Sequence, residues 1–491
     1  MNDNLTNKQN DYAVFLPALS SFYGTYVGKQ RFDQYVDQNR IPTHLQGTAL
    51  EAMNWLSDKG VFEYKWTLYS AGHADLDTTR HSPKDDMVRD TEKMNRDGNI
   101  LVGDSGGFQI AKGVWEGDWR AGATCANADK KRKQVLTWLD SYFDYSMGLD
   151  IPSWVVHDEK ASRNSCITQV HEAVEATKFN NEYFIANRKG KENGGTKFLN
   201  VLQGDNHQNA HEWYDQVKHY CDDTQYPTNH FDGWGMGGQN MCDIHLILER
   251  IVHLHYDGLL QSGKHDWMHF LGTSKLEWAT LLTDVQRAVR ANYNPTLTIS
   301  FDCASPFLAT ANGQVYTNVV TEHDQKWVYR MSPTADDKKY FNDTRLYRDG
   351  CITDGIHAIW EDSPISEHMR MMDICHYGPG MLNKIGKEGK TSWDSFSYAL
   401  LMGHNVWTHI NAVQEANRQY DAGVMPGMLW SNTQRFRDIV NDVFSAPTKE
   451  KSLDIIAKNS IYFMDIIGTR GFKGKKTQNA TTQFNNLFTE V

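Results

Sequence analysis

Five apolar runs of this chain end in residues able to do chemistry. One ends in Gly-Asp104-Ser105-Gly-Gly-Phe108-Gln, another at Asp150-Ile-Pro, and a third in Gln203-Gly-Asp205. The remaining two run into Gly235-Met-Gly237-Gly238-Gln239 and Asp302-Cys303. Carboxylates gathered at one mouth suit proton transfer and covalent attack, and glycine-rich turns let backbone approach a ligand closely. Each residue alone has a structural explanation. An Asp after a strand is often a helix N-cap, glycine pairs mark tight turns, and Gln203 can satisfy loop backbone. Their joint placement at run ends is what points to a site.

The elements that must position them are short apolar runs alternating with segments of helical period. Strands are predicted at Ala13–Ser20, Phe62–Ala71, Ile100–Val102, Met147–Ile151, Lys197–Leu202, Gly233–Met236, Trp267–Leu271 and Leu297–Phe301. Helices are predicted near 47–58, 84–96, 131–145, 163–186, 207–220, 243–260 and 275–292. Such alternation argues for a parallel sheet with crossovers, and eight strands are the number of a (β/α)8 barrel. An open doubly wound sheet is the competing architecture. The expected fold is therefore α/β: a (β/α)8 TIM-type barrel over 1–310, then a mostly helical extension over 311–491. In that extension 311–365 suggests short strands and turns. Helices are expected near 366–383, 391–420, 427–445 and 449–466, before a basic, flexible tail.

Composition bounds the partners. The 61 acidic residues against 50 basic ones exclude a bulk electrostatic binder of nucleic acid, so any such role needs a local basic surface. Candidates are Lys130-Lys131-Arg132-Lys133, Arg188-Lys189-Gly-Lys191 and the cluster at 470–476. Seven irregularly spaced cysteines argue against a disulfide scaffold and for a reducing, cytoplasmic setting. No apolar run is long enough for a membrane span, and none forms a signal-peptide core.

DSGGFQ at 104–109, VLQG at 201–204, FDGWGMGG at 231–238 and FDC at 301–303 resemble the signature segments of the tRNA-guanine transglycosylase superfamily. They occur in that family's order, supported by His73 and by HFLGTSKLEW at 269–278. The likeness covers roughly 13–318, and weakly 360–420. It implies exchange of guanine in a nucleic acid for a 7-deazaguanine, with no cofactor needed for the chemistry. Retention of configuration needs a nucleophilic carboxylate and a covalent intermediate. By resemblance Asp302 is that nucleophile, and Asp104 manages the ring-nitrogen proton. The resemblance further implies that Asp150 and Gln203 read the purine edge, with Gly237 and Gly238 bonding its carbonyl. Phe108 would stack on the base, Ser105 would support Asp302 or the base, and His269 would stand in the pocket wall where family members place a Met.

The tRNA enzymes of this family bind structural zinc through C-x-C-x-x-C and a distant His. Here only Cys375 remains of the cysteines, near His368 and His376, while His409 matches the distant His. Zinc could be rebuilt from His368, Cys375 and His409, with Cys351 or His376 as a fourth ligand. The alternative is a buried thiol among ordinary helix histidines. The altered metal region resembles instead the DNA 7-deazaguanine transglycosylases of phages and bacterial modification islands, which protect DNA from restriction. DNA is thus the expected partner, tRNA the alternative, and a homodimer is in keeping with the family. A glycosidase on the same barrel would place carboxylates similarly but needs no purine-sized slot.

Overall fold

The apolar runs become strands because they are three to six residues long and mostly buried on both faces, as in a parallel sheet covered by helices. In the computed structural model these are β1 (Val14–Pro17), β2 (Trp66–Ser70), β3 (Ile100–Asp104), β4 (Tyr145–Met147), β5 (Lys197–Leu202), β6 (Gly233–Met236), β7 (Trp267–Phe270) and β8 (Thr298–Cys303). The structure describes residues 11–27, 42, 45, 51–80, 86–89, 98–321, 327–376, 395–424 and 433–465. The sheet order is β1-β8-β7-β6-β5-β4-β3-β2, with every pair parallel. Beyond β1, Ala18 bridges Leu68 and the Leu19 N–H donates to the Leu68 carbonyl at 2.8 Å, bringing the two edges together. The result is the expected (β/α)8 barrel, nearly closed.

Several elements differ from expectation. β4 ends before Gly148, because the Asp150 N–H turns back to the Gly148 carbonyl at 3.0 Å and lifts Asp150 into the loop. The single helix expected over 163–186 is two, Glu159–Ser165 and Val170–Asn187, broken where Cys166 takes φ 61°. Of 47–58 the described part, from 51 on, contains a 3-10 turn at Glu51–Met53, and of 84–96 the described helix is Asp86–Arg89.

After β8, a helix at Ser305–Ala311 leads into an antiparallel pair, β9 (Gln314–Val320) and β10 (Val328–Pro333). The next stretch, expected as strand, is instead a helix at Tyr347–Thr353. The long helix Ser395–Asp421 docks on the barrel through Asn405. Its amide donates to Pro306 O (3.2 Å) and Thr310 Oγ1 (3.0 Å), and its Oδ1 accepts the Tyr316 N–H at 2.9 Å. Helices follow at Thr433–Ser445, Lys449–Lys458 and Ser460–Asp465. Of the 366–383 segment the described helix is Met371–Ile374; residues 377–383, and the basic tail at 470–476, lie outside the described residues. None of the seven cysteines is in a disulfide. No helix among the described residues is long and apolar enough to cross a membrane.

Candidate active site

All the strand-end residues come to the same rim, because every strand of a parallel barrel points the same way. Asp104 closes β3, Asp302 lies near the end of β8, and Asp150, Gln203 and Gly237–Gly238 follow β4, β5 and β6.

Asp302 is held by two donors on one oxygen. Its Oδ1 accepts the Gly272 N–H at 2.8 Å and lies 3.2 Å from Nε2 of His269. Oδ2 has no hydrogen bond among the described residues. The register of β7 on β8 sets His269 beside Ser300, whose Oγ sits 2.9 Å from Nδ1 and accepts the Trp267 indole N–H at 2.8 Å. A neutral ring satisfies every partner when Ser300 donates to Nδ1 and Nε2–H donates to Asp302. His269 is therefore not the expected pocket wall. It is fully buried and positions the Asp302 carboxylate.

Asp104 pairs in register with Ser70. Burial pushes its carboxyl up, against the Ser70 hydroxyl and the Gly106 N–H; the nearby Asp302 charge raises it further and His73 lowers it. Burial and the nearby Asp302 charge thus both favour the protonated form of Asp104. Ser105 makes no hydrogen bond to Asp302 among the described residues. Its hydroxyl donates to the Gly148 carbonyl at 2.9 Å and ties the β3 loop to the β4 loop.

Asp150, Gln203, Gly107 and Gly238 lie against one another at the rim and would wall a narrow slot. The Gln203 amide donates to Asp150 Oδ2 at 2.7 Å, and burial drives the Asp150 carboxyl up to about 7 against that bond. Gly107 passes so close that a Cβ there would lie 2.4 Å from the Asp150 carbonyl oxygen. Gly238 takes φ +55°, where a Cβ would meet the Gly204 oxygen at 2.4 Å and Gln203 Oε1 at 3.1 Å. That Oε1 is buried with no hydrogen-bond partner among the described residues, an acceptor at the slot without a donor. Phe108 follows Gly107 and packs at 5.6 Å on Trp154, with Lys112 Nζ 5.1 Å above its ring.

Two substitutions test this slot. Gly238→Ala forces a side chain into the left-handed region and against Gly204, so it should cost about 1–2 kcal/mol in thermal unfolding. Asp150→Asn keeps the acceptor for Gln203 but removes the ionisation. A carboxyl raised from 3.8 to about 7 on folding contributes stability that is fully present below pH 3.8 and lost as pH rises through 7. The wild type should therefore lose about 4 kcal/mol relative to the Asn variant between pH 4 and pH 8, read by urea unfolding. Parallel pH profiles would contradict the buried carboxyl.

The proposed zinc ligands are not brought together. His409 is stacked between Phe15 and Tyr329, each 4.4 Å away, with Nε2 3.5 Å from the Cys303 sulfur; burial lowers it to about 3. The Cys375 thiol donates to the Ala335 carbonyl at 3.3 Å, Cys351 points to the Met371 sulfur at 3.8 Å, and His376 stacks on Phe341. His368 is exposed beside Glu367. Aromatic stacking and apolar burial occupy the places that metal coordination would need.

The basic clusters also divide. Arg132 is fully buried, bonded to Asn180 at 2.6 Å, and Lys133 pairs with Asp129 at 2.7 Å. Arg188 and Lys191 both pair with buried Asp232, which precedes β6 and so lies at the end of the barrel opposite the mouth. Lys131 is placed differently. Its Nζ lies 5.4 Å from the Trp115 ring, and both line a cavity of about 290 Å3 with Ala71, Asp75, Arg80 and Gln134. Trp115 lies against Gly106, and the Ala71 N–H donates to the Asp104 carbonyl at 2.8 Å, so this cavity adjoins the mouth.

Sequence reading missed two groups. His157 Nε2 lies 2.6 Å from Asp205 Oδ2 behind the Gln203 loop. His207, His211, His245 and Glu249 gather between the helices that follow β5 and β6. The signal for the second was present as two i, i+4 pairs, His207/His211 and His245/Glu249. Fold and site together define a parallel barrel with coupled carboxylates beside a polar, glycine-walled slot. No protein-family model matches the chain, and no curated protein matches it either.

Proposed function

We propose that this chain is a transglycosylase that exchanges guanine in DNA for a 7-deazaguanine, such as 7-cyano-7-deazaguanine, by double displacement. The observation that carries the reading is the placing of Asp302 near Asp104, whose carboxyl burial pushes up, at the rim that also holds Asp150, Gln203 and Gly238. Guanine presents N–H donors and a carbonyl on one edge. Asp150 and the unpartnered Gln203 Oε1 accept from that edge, and the backbone N–H of Gly238 would meet its carbonyl; Gly237, expected to share that role, instead donates its N–H to the Leu202 carbonyl at 2.8 Å. The signature segments that resemble the transglycosylase superfamily supply the same residues.

In the first displacement Asp302 Oδ2 attacks the anomeric carbon, and the bond to N9 of guanine breaks. Asp104 gives its proton to that nitrogen and guanine leaves neutral. The incoming 7-deazaguanine then loses its N9 proton to Asp104. Its nitrogen attacks the same carbon and Asp302 departs, so configuration is retained and Asp104 is again protonated. A duplex hides the scissile bond, so the nucleotide must be flipped out or single-stranded. The cavity at Trp115, Arg80 and Lys131 offers an aromatic edge and cations to a neighbouring nucleotide.

DNA is preferred to tRNA because the cysteines that hold zinc in the tRNA enzymes are lacking and the remaining ligands lie apart. The test is a trapped adduct. Incubation with guanine-containing DNA and no incoming base should give a denaturant-resistant protein–DNA complex that Asp302→Asn abolishes. An adduct with tRNA alone would move the activity to RNA. An adduct with neither would remove the covalent mechanism.

A further inference from the structure

We propose that His207, His211 and Glu249 form a binding site for a divalent transition-metal ion, zinc above all, which clamps the helices His207–Val217 and Ile244–Tyr256 together. His207 and His211 stand one turn apart on the first helix and so share a face. Glu249 faces them from the second, with Oε2 3.8 Å from His207 Nδ1 and 3.5 Å from His211 Nε2. One donor atom from each of the three lies within 4.8 Å of the others. A tetrahedral ion with bonds of about 2.1 Å holds its ligand atoms about 3.4 Å apart, so small side-chain rotations close the set.

The surroundings support coordination. His207 presents Nδ1 to Glu249 because its Nε2 bonds Asp243 Oδ2 at 2.8 Å, the carboxylate–imidazole pairing that orients a ligating histidine. Asp243 is itself fixed, accepting the Gln239 amide at 2.8 Å and the Leu246 N–H at 3.2 Å. His245 Nε2 lies 3.1 Å from the other Glu249 oxygen and so fixes that carboxylate from outside the trio. Arg250 is the nearby cation. It donates to Ala210 O at 2.8 Å and only at 3.4 Å to His211 Nδ1, a contact that metal binding at Nε2 gives up as Nδ1 takes the proton. His207 and His211 are each more than a third exposed, so an ion reaches them from solvent. Two imidazoles and a carboxylate favour zinc, nickel or copper over magnesium or calcium.

The two helices begin directly after the loops that carry Gln203 and Gly238, so the ion would brace the slot from outside. The site is independent of the chemistry proposed for Asp302. Metal-stripped full-length protein titrated with Zn2+ should take up one equivalent, measured by competition with a chromogenic chelator. Zn2+ should also raise the midpoint of thermal unfolding. His207→Ala/His211→Ala should weaken uptake by at least about 100-fold, beyond the loss expected from removing an outer partner alone. It should also abolish the thermal shift while the apo midpoint stays near wild type. Should the double variant melt early, Glu249→Gln, which keeps the side chain's size, must show the same loss of uptake. No uptake by wild type, or equal uptake by the variants, would overturn the site.

Discussion

Asp302→Asn should reduce base exchange by at least about 10,000-fold, the scale on which removal of a covalent nucleophile or its partner acts. The change is nearly isosteric. The Asn side-chain oxygen still accepts the Gly272 N–H, and the Thr273 N–H still bonds the backbone carbonyl of residue 302 at 2.7 Å, so the rim should stand. What disappears is the anionic oxygen that displaces the base. The loss should fall on kcat, with KM for the incoming base near wild type, because the slot residues Asp150 and Gln203 are untouched. Steady-state incorporation of labelled base, with a thermal melt as the folding control, gives both numbers. A variant retaining a few per cent of activity would contradict the nucleophile.

Asp104→Asn should cost about 100- to 10,000-fold, the range of a positioned acid–base group. An amide cannot give a proton to N9 of guanine or take one from the incoming base. The deficit should therefore depend on the base. A 7-cyano group draws electrons and makes N9–H more acidic, so the variant should handle 7-cyano-7-deazaguanine better than unsubstituted 7-deazaguanine. Competition between the two bases measures this directly. Equal deficits would mean that Asp104 positions rather than transfers the proton.

How far the sequence reveals this depends on the range of the interaction concerned. β5 and β6 match their expected bounds to the residue, because short buried runs flanked by polar turns carry their own signal. The slot residues Asp150, Gln203 and Gly238 were legible for the same reason, since each ends such a run. Features that depend on register or packing were not. His269 reaches Asp302 only because β7 pairs with β8 at Ser300, and no local pattern states that register. Ser105 turns to Gly148 because β3 and β4 are neighbours. Arg132 reads as part of a basic surface run, yet is buried against Asn180. The helix break at Cys166 needs a non-glycine residue with positive φ, which its neighbours do not announce.

The central claim is base exchange through Asp302. The most direct measurement incubates purified protein with 7-cyano-7-deazaguanine and either duplex DNA or bulk tRNA, then digests to nucleosides for mass spectrometry. The account predicts a modified deoxynucleoside from DNA with wild type and none with Asp302→Ala. Modified nucleoside from tRNA alone would contradict the choice of DNA. Product from DNA that persists in Asp302→Ala would contradict the mechanism itself.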